Sequence, residues 1–347
     1  MIMIRIGIIC PSEIAFRRFL PSLQQADGFQ YVGVAIASPE EWFGEMLSSV
    51  AQEAIERIQN SEREKAQKFV ETYGGRIFEG YGTLISSDAI DAIYLPLPPA
   101  LHFKWAEKAL LNNKHVFVEK PSTTCLKDTQ KLVKLAKERN LALHEDYMFV
   151  FHNQLEAIND IVRSGEIGDV RLYRITFGFP RRDARDFRYN KALGGGALFD
   201  AGGYTMKYAT TLLGLSGKLV TATANYLPDF EVDMYGSATM VNDEGVAAQL
   251  AFGMDNDYKC DVEIWCSRGT LTSSRVLTAP TGFVPTCTIK KNQEYETRNI
   301  PADDAFLKSI QHFGLCIKDD TVRKENYELI EHQEALVENF RELSKMD

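Results

Sequence analysis

The first apolar run ends in I-C-P-S-E-I-A, which puts Cys10, Ser12 and Ala15 at the spacing of a G-x-G-x-x-G turn. In that turn the first glycine makes the bend, the second lets backbone approach a pyrophosphate, and the third lets helix pack on strand. No glycine remains here. Ser12 offers a hydroxyl and a backbone N–H to a phosphate, and Ala15 is small enough for close packing. Cys10 is the awkward replacement if the bend needs a positive φ. On residues alone a plain βα turn stays open beside a dinucleotide turn. Arg17 and Arg18, in the first turns of the following helix, are either a source of positive charge or two solvated surface residues. After the second strand an NAD site usually carries Asp or Glu to bind the adenine ribose. Ser38-Pro39 stand there instead, which favours NADP with NAD still possible.

Further along, His102 lies in a P-P-A-L-H loop after a strand C-terminus, where such sheets place ligands, and is a cofactor or substrate contact or a satisfied loop histidine. Asp200 and Tyr204, four residues apart, share one face of a helix, so Asp200 can orient a substrate or Lys120, or cap the helix. Gly194-Gly195-Gly196 invites a phosphate cradle. Arg181, Arg182, Arg185 and Arg188 precede it and can pair bidentately with a diphosphate. The six cysteines form no CxxC and the six histidines no HxH or HExxH, so no metal site is expected.

These residues need a scaffold. The chain has 347 residues, enough for about two domains. A net charge of −9 argues against a nucleic-acid or membrane-surface partner, and scattered thiols with no membrane-length apolar run point to the cytoplasm. Residues 2–10 read as a strand buried on both faces, followed by a helix N-capped by Ser12 with Ile14, Phe19, Leu20 and Leu23 toward the sheet. Further strands are expected at 31–38, 92–97, 115–119 and 141–148. Helices are expected at 103–110 and 125–139, with an additional helix in the charge-rich stretch 39–73. This alternation predicts a dinucleotide-binding α/β domain of the Rossmann type over residues 1–149. From residue 150 a helix (153–164) leads into successive strands with turns between them. That pattern predicts an α+β domain over 150–347 with a large, mostly antiparallel open sheet. Its closing helix, about 326–345, is placed either there or back on the first domain.

Residues 94–124 (YLPLPPALHFKWAEKALLNNKHVFVEKPSTT), 165–177 (GEIGDVRLYRITF) and 186–214 (DFRYNKALGGGALFDAGGYTMKYATTLLG) occur in the order and spacing of one family. The chain resembles the glucose–fructose oxidoreductase / inositol dehydrogenase (Gfo/Idh/MocA) family of nicotinamide enzymes over essentially its whole length. IAFRRFLPSL, EDYMFVFHNQ and AFGMDNDYKCDVEIWCSRGTL narrow this to a resemblance to NDP-sugar 3-ketoreductases. In that subfamily the fingerprint often erodes to G-x-A/S-x-x-A, which accommodates Ser12 and Ala15 but not Cys10. The segment near 39–63 is also longer than the usual join.

The resemblance implies that Lys120 of E-K-P and Tyr204 of D-A-G-G-Y are catalytic. A tyrosine hydroxyl, with an ordinary pKa of about 10, becomes an effective proton donor when an ammonium lies near it. The same ammonium stabilises charge building on a carbonyl oxygen. The cofactor is then expected on Cys10, Ser12, Glu13, Ile14, Arg17, Arg18, Ser38, Leu97, Pro98, His102, Glu119 and Lys120. The substrate is expected on Asp200, Arg188, Tyr147 and His102. Together these imply reduction of a keto group, at C3, of a nucleotide-linked sugar by NADPH, in a homodimer or homotetramer. Two alternatives stand beside it: a reductase or dehydrogenase of a free sugar or dihydrodiol, and a dinucleotide-binding sensor without turnover.

Overall fold

The computed structural model describes residues 3–346. The apolar runs that the sequence places in buried strands form a six-stranded parallel sheet. Its strands are β1 (Ile4–Ile9), β2 (Phe29–Ile36), β3 (Arg76–Glu79), β4 (Ala92–Leu95), β5 (His115–Glu119) and β6 (Leu143–Asp146), in the order β3-β2-β1-β4-β5-β6. The order reverses beside β1, the switch point at which such sheets hold ligands. Between the strands run α1 (Leu20–Leu23) with a π turn (Ala15–Phe19) before it, α2 (Pro39–Phe43), α3 (Gln52–Tyr73), α4 (Tyr81–Ile85), α5 (His102–Leu111) and α6 (Leu126–Arg139). Ala15, Phe19, Leu20 and Leu23 are buried as the spacing requires. Ile14 is not: it precedes the π turn, which shifts the apolar register, and it stands 36% exposed. The short strand β3 and helix α4 carry too little pattern to be foreseen.

The second sheet has eight strands in the order β14-β13-β12-β11-β7-β10-β9-β8. They are β7 (Val170–Gly178), β8 (Lys218–Tyr226), β9 (Asp233–Val241), β10 (Ala247–Gly253), β11 (Lys259–Cys266), β12 (Thr270–Ser274), β13 (Thr286–Lys291) and β14 (Glu294–Asn299). Only β7 and β10 pair in parallel; the rest are antiparallel, in keeping with the expected class. The inner face, with Tyr173, Ile175, Leu250, Val262 and Ile264, joins a core with α7 (Asn153–Arg163) and α8 (Gly203–Leu213). The chain ends in α9 (Ala305–Lys318) and α10 (Asp320–Ser344).

Two compact units result. The first takes the chain through Thr123, then Lys127–Asp146 and Ser309–Ile330; the second takes Thr124–Leu126, Tyr147–Lys308 and the chain from Glu331 onward. The expected second domain, 150–347 with its closing helix either there or back on the first domain, is refined by this division. Residues 309–330 belong with the parallel sheet. Asn326 Nδ2 donates to the Leu143 carbonyl at 2.6 Å and the Tyr327 hydroxyl to the Leu141 carbonyl at 2.5 Å, while Phe313 meets Phe117 edge-on. Residues of α9 and α10 thus complete the sheet's last strand.

Candidate active site

The bend after β1 falls on Cys10, whose φ is 78°. That is the left-handed conformation the fingerprint's first glycine supplies, and an L side chain pays about 1–2 kcal/mol to adopt it. Backbone bonds hold it there: Cys10 N–H donates to Ala35 O at 3.1 Å, and Cys10 O accepts from Ser12 N–H at 2.9 Å. Ser12 Oγ accepts from Ala15 N–H at 3.3 Å, so Ser12 caps the helix that follows. Burial pushes the Cys10 thiol up to about 12. Glu13 and Arg17 pair with each other at 2.7 Å on the exposed face, where Arg18 also lies.

Ser38 caps α2 in a reciprocal box: its Oγ accepts from Glu41 N–H, and its own N–H donates to Glu41 Oε2 at 3.0 Å. Its hydroxyl proton goes to Glu40 at 2.8 Å. Glu41, which sequence reasoning passed over, also accepts from Tyr81 N–H and Gly82 N–H, at 2.7 and 2.8 Å, and so ties the inserted segment to the start of α4.

Of the two readings left open for His102, its surroundings favour the histidine satisfied within the loop. It is fully buried, and its two ring nitrogens lie 2.6 Å from Leu97 O and 2.7 Å from Pro121 O. A neutral ring has one N–H, so it donates to one of these carbonyls and sets its other nitrogen against the second. It links the Leu97-Pro98 corner to the E-K-P loop, and burial pushes its pKa down to about 4, which keeps it neutral. Leu97 is buried and Pro98 half-buried. Glu119 is buried as well and accepts from the Tyr94 hydroxyl at 2.5 Å, while Tyr94 stacks on Phe19 at 3.8 Å. Lys120 follows, half-buried, with a cis peptide to Pro121.

In the second unit Tyr204 opens α8 directly after a π turn, Leu198–Gly202. Its ring is boxed by Tyr147 at 5.2 Å, Phe177 at 5.3 Å and Phe149 at 5.6 Å. Tyr147 is 1% exposed, and its hydroxyl lies where a Cβ on Gly203 would be 2.2 Å away. Tyr147 packs as a wedge against Tyr204. Gln333 Nε2 reaches the same hydroxyl at 3.4 Å and Gly203 O at 3.0 Å.

Asp200 accepts from Arg188 Nε at 2.6 Å, and Arg188 Nη1 from the other side meets Asp186 at 3.1 Å. Burial works against the charge of Arg188, and Asp200 and Asp186 more than offset it, holding the guanidinium above its ordinary range. Helix capping falls to a residue the sequence did not flag. Asp233, buried on β9, accepts from Leu198 N–H at 2.7 Å, and burial pushes its carboxyl up to about 6. Arg181 pairs with Asp255 at 2.7 Å and Arg185 with Asp183 at 3.1 Å, so much of the basic cluster is already neutralised. Nor do the three glycines cradle a phosphate. Their N–H groups donate to Lys191 O, Asn190 O and Arg188 O. Gly196, at φ 125°, leaves no room for a Cβ, which would sit 2.3 Å from Asp233 Oδ1.

Residues 4–147 match the oxidoreductase family with an NAD-binding Rossmann fold, and residues 155–272 match the GFO/IDH/MocA C-terminal domain. The chain belongs to the GFO/IDH/MocA oxidoreductases. Within the family it is 35% identical over 338 residues to a dTDP-3,4-didehydro-2,6-dideoxy-alpha-D-glucose 3-reductase from Actinomadura kijaniata, covering 97% of this chain and 95% of that one. A protein of the same name from Streptomyces violaceoruber is 36% identical, with 91% and 85% covered. A solved 3-ketoreductase from Actinomadura kijaniata, in complex with NADP and TDP-benzene, superposes with a TM-score of 0.87 at 34% identity, covering 98% of this chain and 97% of that one. As a GFO/IDH/MocA member the chain is an oxidoreductase whose Rossmann turn keeps the left-handed bend without its glycine.

Proposed function

We propose that the protein reduces the C3 keto group of a dTDP-linked deoxysugar with NADPH, in the cytoplasm, as a homo-oligomer. The observation that carries this reading is whole-chain similarity, at 35% identity, to a dTDP-sugar 3-reductase. The turn suits a dinucleotide: Cys10 takes the glycine conformation, and a helix N-terminus capped by Ser12 follows at once. Ser12, the exposed Arg17 and Arg18, and the Leu97-Pro98 corner would hold NADP, and its nicotinamide supplies the hydride when bound. The Tyr204 hydroxyl gives its proton to the oxygen that becomes the alcohol. The Lys120 ammonium favours that transfer by stabilising the phenolate left behind and the charge on the substrate oxygen. The box of Tyr147, Phe149 and Phe177 fixes the Tyr204 ring before substrate arrives.

The test is NADPH consumption with a dTDP-3-keto-deoxysugar, with the free keto-sugar alongside. We expect turnover only with the nucleotide-linked compound. Tyr204→Phe should abolish it while leaving NADPH affinity within a few-fold. Equal turnover of the free sugar would move the substrate class, and unchanged turnover in Tyr204→Phe would remove the proton-donor role.

A further inference from the structure

Away from the candidate active site, His144 on β6 and His312 and Cys316 on α9 bring one imidazole nitrogen each and a thiol within 4.8 Å of one another. His312 and Cys316 are one helical turn apart and share a face. The surrounding bonds prepare both imidazoles. Ser309 Oγ donates its single proton to Asp146 Oδ1 at 2.7 Å, so at 2.9 Å it accepts from His144 Nε2–H. That sets the tautomer of His144 and puts the lone pair on Nδ1. Asn326 spends Nδ2 on Leu143 O at 2.6 Å, which leaves its Oδ1 to accept from His312, with which it is hydrogen-bonded. Each imidazole thus has an outer hydrogen-bond partner of the kind found around metal-bound histidines.

We propose that His144, His312 and Cys316 bind a zinc ion that staples α9 to the edge strand β6. Two imidazoles and a thiol are donors for zinc and are foreign to magnesium or calcium. A tetrahedral zinc holds such donors roughly 3.3–3.8 Å apart, so a spread of at most 4.8 Å closes with side-chain rotations. As the zinc–sulfur bond forms, the thiol proton leaves to solvent. The fourth position goes to water, reached from the half-buried side of His312. The staple would fix the segment that returns to the first unit, with no part in hydride transfer.

The experiment uses the full-length chain purified without chelators. Metal content by mass spectrometry should read about one zinc per chain. After chelation, cobalt(II) should give the near-ultraviolet absorption of a thiolate–metal bond. Added zinc should raise Tm, as any ligand selective for the folded state does. Cys316→Ser should lose the band and the zinc-dependent rise in Tm. His312→Gln, which replaces an imidazole at a half-buried position, is the second variant should Cys316→Ser fold poorly, and should lose zinc likewise. Folded wild-type chain that takes up neither metal, or variants that bind zinc as the wild type does, would overturn the proposal.

Discussion

At the scale of single residues, several side chains chosen for chemistry turn out to hold other side chains in place. His102 and Tyr147 are buried, and each braces a neighbour: the E-K-P loop in one case, Tyr204 in the other. Asp233 is the converse, silent in the sequence yet capping the helix that carries Tyr204. Its pH behaviour follows from burial. The folded-state pKa of about 6 lies above the ordinary aspartate value of 3.8, so the folded chain binds more protons than the unfolded one between those values. Stability is then lost as pH rises through that window. Asp233→Asn keeps an acceptor for Leu198 N–H without the charge. Urea denaturation should show its stability gaining on the wild type from pH 4 to about 6, with no further change above. Parallel curves for the two proteins would refute this.

At the scale of elements, the turn after β1 shows that a fingerprint can be kept in conformation after it is lost in composition. Cys10 bears a left-handed φ that glycine adopts freely. Cys10→Gly should relieve about 1–2 kcal/mol of strain, partly offset by about 0.5–1 kcal/mol of chain entropy. Thermal unfolding should therefore show an equal or slightly higher Tm, and NADPH should bind at least as tightly by fluorescence titration. Cys10→Val, β-branched at the same φ, should lower both. A Cys10→Gly variant that loses cofactor would mean the thiol itself is needed. The π turns at Ala15–Phe19 and Leu198–Gly202 carry a parallel lesson. Each opens a helix next to site residues, where an extra residue per turn re-aims side chains and undoes simple i, i+4 reasoning.

At the scale of the whole molecule, the eight-stranded sheet has one face in the core and an outer face that presents Arg174 between Gln249 and Glu263, with exposed Tyr235 and Trp265. A wide, mixed face of this kind is the surface that the proposed homo-oligomer would cover. Arg174→Glu puts a carboxylate beside Glu263 and should shift the sedimentation profile to a smaller species with the fold intact by circular dichroism. An unchanged mass would place the interface elsewhere. Among the described residues no helix is long and apolar enough to cross a membrane.

The sequence alone determined the two sheet types, because buried parallel strands read as unbroken apolar runs and half-buried antiparallel ones alternate. It also determined the family, since the E-K-P and G-G-G-A-L-F-D-A-G-G-Y segments are long and ordered. Short elements such as β3 and α4 left no periodic trace. Only the tertiary structure decided which polar residues are spent internally: His102 wedged between two carbonyls, Ser38 on a cap, the glycine N–H groups on the loop's own carbonyls. It likewise decided that His312 and Cys316 meet His144, and that residues 309–330 return to the first unit. Those outcomes depend on partners distant in the chain, and local spacing carries no record of who those partners are.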